Sequence, residues 1–234
     1  MKKIICYMSL FLMLWSCQKN DVFEYSHEKS SIQFNYKKAS ELSRDFDFSF
    51  QKDDQGVYYG DLLQTYKIEL LVSVLGFSSD IERKFRMKAV PVEGQDTSLL
   101  GEVELLPEYT FKPGLWVDTV EVTLVRPAKR GKYTVGVTFE VDDDALLELG
   151  AVEQCTYTLN LIDRYPQPDY WEYGGEDWFG EYTEEKYAFF VTVLGKLYDP
   201  WGMDLPGANR QLRQALKEYN DTHEVKKDFT FPER

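Results

Sequence analysis

The stretch Lys132-Tyr-Thr-Val-Gly-Val-Thr-Phe-Glu-Val141 decides the fold class of this chain. Its apolar side chains recur at every second position, and most of the positions between them are polar. This period of two is typical of a β-strand that buries one face and exposes the other. We therefore expect Val135 and Val137 to point into a core.

The same alternation recurs through residues 30–163. Turn signals such as Lys112-Pro113-Gly114 separate the runs, and no helical run of useful length interrupts them. About eight strands with one buried face and short connections favour antiparallel sheets packed as a β-sandwich. The other alternating runs are Ile32–Tyr36, Phe46–Phe50, Tyr66–Val74, Phe85–Ala89, Val103–Leu105, Tyr109–Phe111, Val120–Leu124 and Gln154–Ile162.

The segment Tyr109–Gly114, followed by Trp116–Val125, resembles the hairpin of Calx-β and other immunoglobulin-like domains. The resemblance implies that the sandwich of residues 30–163 is immunoglobulin-like. Calx-β domains bind calcium in loops, and clustered carboxylates suit that ion, so Asp142, Asp143 and Asp144 are a weak calcium candidate. The alternative is that these acids begin a short helix over residues 145–149, because a helix dipole favours acids at its N-terminus. Their spacing is not that of an EF-hand, which favours the helix.

The composition changes at Tyr165-Pro-Gln-Pro-Asp169, where two prolines suit a stiff linker. Residues 165–234 hold 15 aromatic side chains, and helical periodicity appears there. Thr183 is a candidate cap for a helix that Gly195 ends. A second apolar stripe runs from Leu212 to Tyr219 with helical spacing. We expect residues 164–234 to form a small aromatic-rich helical region that packs on the sandwich.

The beginning of the chain has the pattern of a secretory signal over residues 1–16. Lys2 and Lys3 precede the apolar run Ile4–Trp15, and Ser16 precedes Cys17. The run has about 12 residues, whereas a membrane-spanning helix needs roughly 20. A cysteine directly after a small residue resembles a bacterial lipobox, in which Cys17 is diacylated and becomes the mature N-terminus. Residues 17–29 are then a polar, lipidated tether.

The acidic charge of the chain excludes some classes of partner. The chain has 27 Lys and Arg residues against 40 Asp and Glu, a net charge of −13. Such a surface repels phosphate backbones, so we expect no nucleic-acid partner. Because Cys6 leaves with the signal and Cys17 carries lipid, Cys155 has no partner for a disulfide, and its strand pattern indicates a small buried hydrophobe.

The sequence offers no catalytic constellation. His27 lies in the tether and His223 lies near the C-terminus, so neither is placed for a nucleophilic triad or a zinc site. A glycosidase needs only two carboxylates, and 40 acids neither identify nor exclude such a pair. We therefore expect no catalytic residues, no metal and no cofactor, and a hydrolase is the least favoured function.

Four aromatic residues of the C-terminal region are candidates for ligand binding: Trp171, Tyr173, Trp178 and Trp201. They lie in a context rich in Gly, Asp and Glu, where flat ring faces beside carboxylates suit the stacking of sugars. The alternative is core packing, because each Trp or Tyr can bury roughly 150–250 Å². Packing is favoured for Trp171 and Trp178, with binding kept as the second interpretation.

The segments Pro168–Trp171 and Trp178–Tyr187, together with the lipobox and the β-sandwich, resemble a lipoprotein family of the Bacteroidota with a domain of unknown function. Its members are often encoded beside SusC/SusD-type outer-membrane uptake systems. The resemblance implies a lipid anchor in the outer membrane, with surface exposure as one option, and an accessory role in nutrient capture. It implies no catalytic residues.

These observations support three hypotheses. The first is a non-catalytic envelope lipoprotein that assists capture of a polymeric nutrient, with a glycan as the candidate ligand. The second is a structural module that docks on a SusC/SusD-type uptake complex without binding substrate. The third, a hydrolase, has no motif in its favour.

Replacing Cys17 with Ala tests the lipobox. We expect the variant to lose all incorporation of labelled palmitate, because Cys17 supplies the acylated thiol. A Cys155→Ala variant should keep the label and serves as the matched control. Acyl labelling that persists in the Cys17→Ala variant would contradict the lipobox.

Overall fold

The computed structural model describes residues 29–76, 79–142 and 146–233. In this part of the chain the alternating runs form ten β-strands, so the prediction of a mostly β fold is confirmed. Val135 and Val137, on the longest clean alternation, are fully buried as expected. The strands are β1 Ser30–Phe34, β2 Ser43–Asp47, β3 Thr65–Leu75, β4 Arg83–Val90, β5 Glu102–Glu104, β6 Tyr109–Phe111, β7 Val117–Val125, β8 Gly131–Glu140, β9 Leu147–Leu149 and β10 Thr156–Asp163.

The described strands form two sheets of five strands each. The strand orders are β5-β7-β3-β1-β9 and β2-β10-β8-β4-β6. Most neighbouring strands are antiparallel, but β1 pairs with β9 and β2 pairs with β10 in parallel, so the prediction of purely antiparallel sheets is wrong. Both exceptions are edge strands that join partners more than 100 residues away along the chain. Strands so far apart along the chain are not joined by a hairpin, so they can pair in either direction. The alternation of apolar residues predicts which face of a strand is buried, but not the direction of its neighbour.

The two sheets share one hydrophobic core. The ring of Phe34 on β1 lies 4.5 Å from that of Phe139 on β8, and the ring of Phe46 on β2 lies 4.6 Å from that of Tyr66 on β3. These contacts cross from one sheet to the other, and the buried side chains of both sheets form a single cluster. Each fully buried Leu, Val or Phe side chain contributes about 1.5–3 kcal/mol to the free energy of folding. Along these strands, buried and exposed residues alternate.

Strand β9 occupies the place where the acidic run predicted a helix over residues 145–149. Leu147 is buried, and β9 extends the first sheet by pairing with β1 in parallel. The amide of Ser30 also donates to the carbonyl oxygen of Leu146 at 3.1 Å. The helix prediction is wrong for Leu147–Leu149 because the open edge of β1 offers a ladder of hydrogen bonds that the local sequence does not reveal.

The C-terminal region is helical, as the sequence predicts. Among the described residues it contains α1 Glu176–Phe179, α2 Glu184–Leu194 and α3 Leu205–Thr222. The hydroxyl of Thr183 accepts from the amide of Lys186 at 3.2 Å, and Gly195 ends α2 in the left-handed conformation at φ 62°, so both predicted ends of this helix are confirmed. Within the ranges described, no helix is both long and apolar enough to cross a membrane.

The helical region has a hydrophobic core of its own. Trp171, which is 2% exposed, contacts rings that all lie in this region, namely those of Phe179, Tyr182, Tyr187, Phe190 and Tyr198. The rings that surround Trp171 therefore belong to the helical region itself and not to the sandwich. Because each ring buries on the order of 150–250 Å², a cluster of aromatic residues provides a core in a short segment.

The sandwich and the helical region meet through the segment that follows β2. The ring of Phe50 lies 5.9 Å from that of Tyr165, and the amide of Asp61 donates to the hydroxyl of Thr192 on α2 at 2.8 Å. Gly60 makes this approach possible, because a Cβ at its position would lie 2.6 Å from the Cα of Thr192. Its φ of +56° is also one that glycine adopts readily.

The two ends of the sandwich are different. At one end, here called the junction, Thr65, Arg126 and Asp163 lie next to the helical region. At the opposite end, here called the tip, β3 ends at Leu75 beside Ser31 at the beginning of β1. Since β3 has 11 residues, junction and tip are separated by roughly 35 Å.

A Val137→Asp substitution tests the shared core. An unpaired carboxylate at this buried position costs several kcal/mol or remains protonated, which is comparable with a total stability of about 5–15 kcal/mol. We expect insoluble protein or a strongly lowered midpoint of urea unfolding. Thr119→Asp, which places the same group on the exposed face of β7, should change the midpoint little. A soluble Val137→Asp variant with the midpoint of the native chain would contradict the assignment of this face to the core.

Candidate functional site

A large cleft of the described structure lies at the junction. It has a volume of about 1230 Å³ and lies between the loop after β7, the end of β10 and the beginning of α2. Charged side chains form its floor, and Arg126, Arg130, Asp61 and Asp163 are the principal ones. A cleft with this lining could receive a charged ligand only if some of these groups keep free hydrogen-bonding capacity.

Arg126 and Asp163 form the buried centre of this cluster. Their side chains are 4% and 3% exposed, and the guanidinium donates to both carboxylate oxygens, at 2.7 and 3.1 Å. Arg130 donates to the same carboxylate at 2.9 Å and to Asp61 at 2.7 Å. The remaining nitrogen of Arg126 donates to the carbonyl oxygen of Gly60 at 2.6 Å. Three segments distant in sequence, around Asp61, Arg126 and Asp163, are thereby held together.

The ionisation of the cluster follows from these contacts. Burial alone would raise the pKa of Asp163, but the hydrogen bonds and charges of Arg126 and Arg130 outweigh it and hold that pKa below its usual value. Burial also raises the pKa of Tyr165, beside the two arginines, to about 12. The carboxylate is therefore ionised and the phenol neutral across the physiological range.

The cluster is a clamp between the two parts of the chain. Its guanidinium groups are already paired with Asp61, Asp163 and Glu185, and Ser49 donates to Asp163 at 3.0 Å. Little donor capacity is left for a ligand. This cluster was not predicted from the sequence. The available signal was a pair of arginines four residues apart directly after one strand, and an aspartate that ends another.

A second candidate is a surface of aromatic rings, here called the aromatic platform, formed by Tyr170, Tyr173 and Trp201. Their exposed fractions are 50%, 60% and 73%. The ring of Tyr170 lies 4.8 Å from that of Trp201 and 6.2 Å from that of Tyr173. Three neighbouring rings thus present apolar surface to solvent, and contiguous exposed apolar surface often marks an interaction site.

The platform is held by backbone contacts with the helical core. The buried Tyr198 donates from its hydroxyl to the carbonyl oxygen of Tyr173 at 2.6 Å. The amide of Trp201 donates to the carboxylate of Asp199 at 3.0 Å, which shapes the loop between α2 and α3. Asp204 then begins α3 by accepting from the amide of Gly207 at 3.1 Å. The rings are exposed, but their backbone positions are set.

A smaller cavity of about 490 Å³ adjoins the loop that carries Trp201. Asp199 and Gly202, which flank this tryptophan, are in its lining. The cavity also offers carboxylate, amide and ammonium groups from Asp204, Gln211 and Lys196. Acceptors and donors of this kind beside exposed rings suit a ligand that has hydroxyl groups and apolar C–H faces.

The structure separates the four aromatic candidates. Trp171 is enclosed in the helical core, where its indole N–H donates to the carbonyl oxygen of Gly180 at 3.3 Å. Trp178 is half-buried at the edge of that core. Tyr173 and Trp201 belong to the platform. Tyr170 was not among the candidates predicted from the sequence, although it lies in the same aromatic run and directly before Trp171.

The remaining predicted sites are placed as follows. Cys17, Asp143 and Asp144 lie outside the described residues. Asp142 is exposed and pairs with Arg86, and across the described ranges no group of three or more His, Cys, Asp or Glu residues could hold a metal ion. Cys155 is buried as predicted, and burial raises the pKa of its thiol. His223 is exposed and stacks on Tyr219 at 3.8 Å.

The chain belongs to the family described as Domain of unknown function (DUF4843), which matches residues 25–196. That match covers the whole sandwich and continues through α2, so it includes the clamp as well as Tyr170 and Tyr173. Trp201 lies beyond it. No curated protein matches the chain.

Two solved structures from Bacteroides are similar to part of the chain. A two-domain protein of unknown function from Bacteroides fragilis has 12% identity and a TM-score of 0.37, over 58% of this chain and 46% of its own. A protein of unknown function from Bacteroides ovatus has 14% identity and a TM-score of 0.36, over 59% of this chain and 45% of its own. The chain therefore spans less than half of the length of either protein, and similarities of this size do not indicate a function.

An Asp163→Asn substitution tests the clamp. Removing one partner leaves Arg126 buried with a weakened set of acceptors, which typically costs about 3–5 kcal/mol. We expect a loss of that order in the free energy of urea unfolding. Glu121→Gln, which breaks the exposed Lys67–Glu121 pair, should cost at most about 1 kcal/mol. Equal effects of the two substitutions would contradict the role of the clamp.

The same variant has a defined pH signature. Because the pKa of Asp163 is lowered in the folded protein, its contribution is complete above the unfolded pKa of about 3.9 and is lost as the pH falls through the folded value. The native chain should therefore lose more stability between about pH 5 and pH 2 than Asp163→Asn loses. Parallel pH profiles would contradict an ionised, paired Asp163.

Proposed function

We propose that this member of the DUF4843 family is a non-catalytic lipoprotein of the cell envelope that captures glycans as an accessory to outer-membrane nutrient uptake. The observation that carries the proposal is the aromatic platform, in which Tyr170, Tyr173 and Trp201 are exposed together beside a polar cavity. Lipidation at Cys17 provides the attachment to the outer membrane, and two or more acyl chains are enough for a stable anchor.

The chemistry of the platform fits a neutral carbohydrate. A pyranose ring has apolar C–H faces that can cover an aromatic ring, and its hydroxyl groups need acceptors and donors at the rim. The carboxylates of Asp199 and Asp204 and the amide of Gln211 provide them on one side of Trp201. A net charge of −13 disfavours acidic polysaccharides, so the preferred ligand is an uncharged polymer.

The sandwich fits the proposal as an immunoglobulin-like spacer. Apart from the edge strands β9, β2 and β6, the orders β1-β3-β7-β5 and β10-β8-β4 resemble the A-B-E-D and G-F-C sheets of immunoglobulin domains. The platform belongs to the helical region at the junction, whereas the described chain begins at the tip with Lys29. A lipid attached at Cys17 would therefore place the length of the sandwich between the anchor and the ligand.

Substitution of the platform tests glycan capture. If a sugar ring covers roughly 60 Å² of Trp201, it gains about 1.5 kcal/mol, which is about tenfold in affinity. We expect Trp201→Ala to weaken retention by about that factor in affinity electrophoresis against neutral polysaccharides such as a β-glucan, a mannan and a starch. Tyr173→Ala should act in the same direction. Neither variant should lower the melting temperature appreciably, because both side chains are exposed.

Trp116→Ala is the matched control, since Trp116 is also exposed but lies at the tip. Its retention should equal that of the native chain. If no neutral polysaccharide retards the native chain and it co-purifies with a SusC/SusD-type transporter, glycan capture is refuted. The docking module is then the better description.

A further inference from the structure

The tip of the sandwich carries a second exposed apolar surface, here called the apolar tip. Its most exposed large members are Trp116, with 51% of its surface accessible, and Ile81, with 64%. Leu75, Leu115 and Leu146 are also exposed. These side chains come from loops that are distant in sequence, and none of them takes part in either core.

Backbone hydrogen bonds join these loops into one surface. The amide of Val74 donates to the carbonyl oxygen of Trp116 at 3.0 Å, and the amide of Gly114 donates to that of Ser79 at 2.9 Å. On the other side, the amide of Ser30 donates to the carbonyl oxygen of Leu146 at 3.1 Å. The apolar tip is therefore built around the beginning of β1.

The position of the chain entrance bears on what this surface meets. Lys29, the first described residue, directly precedes β1, whose residue Ser31 pairs with Leu75 at the end of β3. Cys17 lies 12 residues before Lys29, a length of chain that reaches at most about 43 Å. An acyl chain at Cys17 would thus hold the bilayer within about 43 Å of the end of the molecule that carries the exposed apolar side chains.

The charges near the tip are compatible with a lipid surface. Ion pairs near this end of the sandwich neutralise part of its charge. Lys112 pairs with Asp118 at 3.0 Å, and Arg86 pairs with Asp142.

We propose that the apolar tip rests on the surface of the lipid bilayer, with Trp116 in the head-group region. This inference depends on the anchor at Cys17 in the proposed function. Trp is enriched at membrane interfaces, where its ring is partly apolar and its N–H stays near water, and shallow burial of apolar side chains adds to lipid attachment. With this contact the strands of the sandwich point away from the membrane, and the aromatic platform lies roughly 35 Å above it.

Quenching of tryptophan emission by brominated lipid tests this orientation. The chain from Cys17 onward is coupled through that thiol to maleimide lipid in phosphatidylcholine vesicles, with and without brominated acyl chains. Cys155 is buried, so coupling is directed to Cys17. The coupled chain contains four tryptophans, and only one of them lies at the tip. We therefore expect brominated vesicles to quench at most the part of the emission that comes from one tryptophan. Trp116→Phe should abolish this quenching, whereas Trp201→Phe should leave it unchanged.

The possible outcomes are distinct. Absence of quenching in the coupled native chain refutes contact between the tip and the bilayer, and so does quenching that disappears in Trp201→Phe instead of Trp116→Phe. Association of uncoupled chains in solution that Trp116→Phe removes would assign the surface to a second copy and refute the membrane contact. Because the lipid is attached chemically, the quenching result does not depend on natural acylation. Absence of palmitate labelling would contradict the anchor at Cys17, but it would not change the quenching of the coupled chain.

Discussion

The buried ion pair of Arg126 and Asp163 is the interaction on which the arrangement of the two parts depends. It joins the end of β7 to the end of β10, and through Arg130 and Asp61 it reaches the segment that contacts α2. Removing two charges from water is costly unless each finds partners of good geometry, and here each does. The same residues line the large cleft at the junction and leave it little hydrogen-bonding capacity for a ligand. The volume of a cleft alone is therefore a poor guide to the functional surface.

With the clamp in place, two separate cores give the molecule a direction. The sandwich core lies between two curved sheets, and the helical core is a cluster of aromatic rings around Trp171. Both cores consist mainly of buried apolar side chains, and further apolar residues remain exposed. Two groups of exposed apolar residues lie at opposite ends, as the aromatic platform of the helical region and the apolar tip of the sandwich. Such a distribution suits a protein that contacts two different partners at once.

Neighbouring aromatic residues have opposite environments in the run Tyr170–Tyr173. Trp171 is enclosed while Tyr170 and Tyr173 are exposed. The turn at Trp171–Gly175, with Gly174 at a φ of 89°, reverses the chain and turns successive side chains to different sides. Composition marks the whole run as rich in rings, but only the path of the backbone decides which rings join the core and which reach solvent.

The sequence by itself determined the mostly β character, the inward face of β8 and both ends of α2, because alternation, a Thr cap and a terminal glycine act within a few residues. It also placed Tyr173 and Trp201 among the ligand candidates, yet without separating them from Trp171. The parallel edge strands β2 and β9, the independent aromatic core and the clamp were decided only by the tertiary structure. Each joins residues far apart in the chain, and pairing of that kind depends on which edges, rings and charges the rest of the fold leaves facing one another.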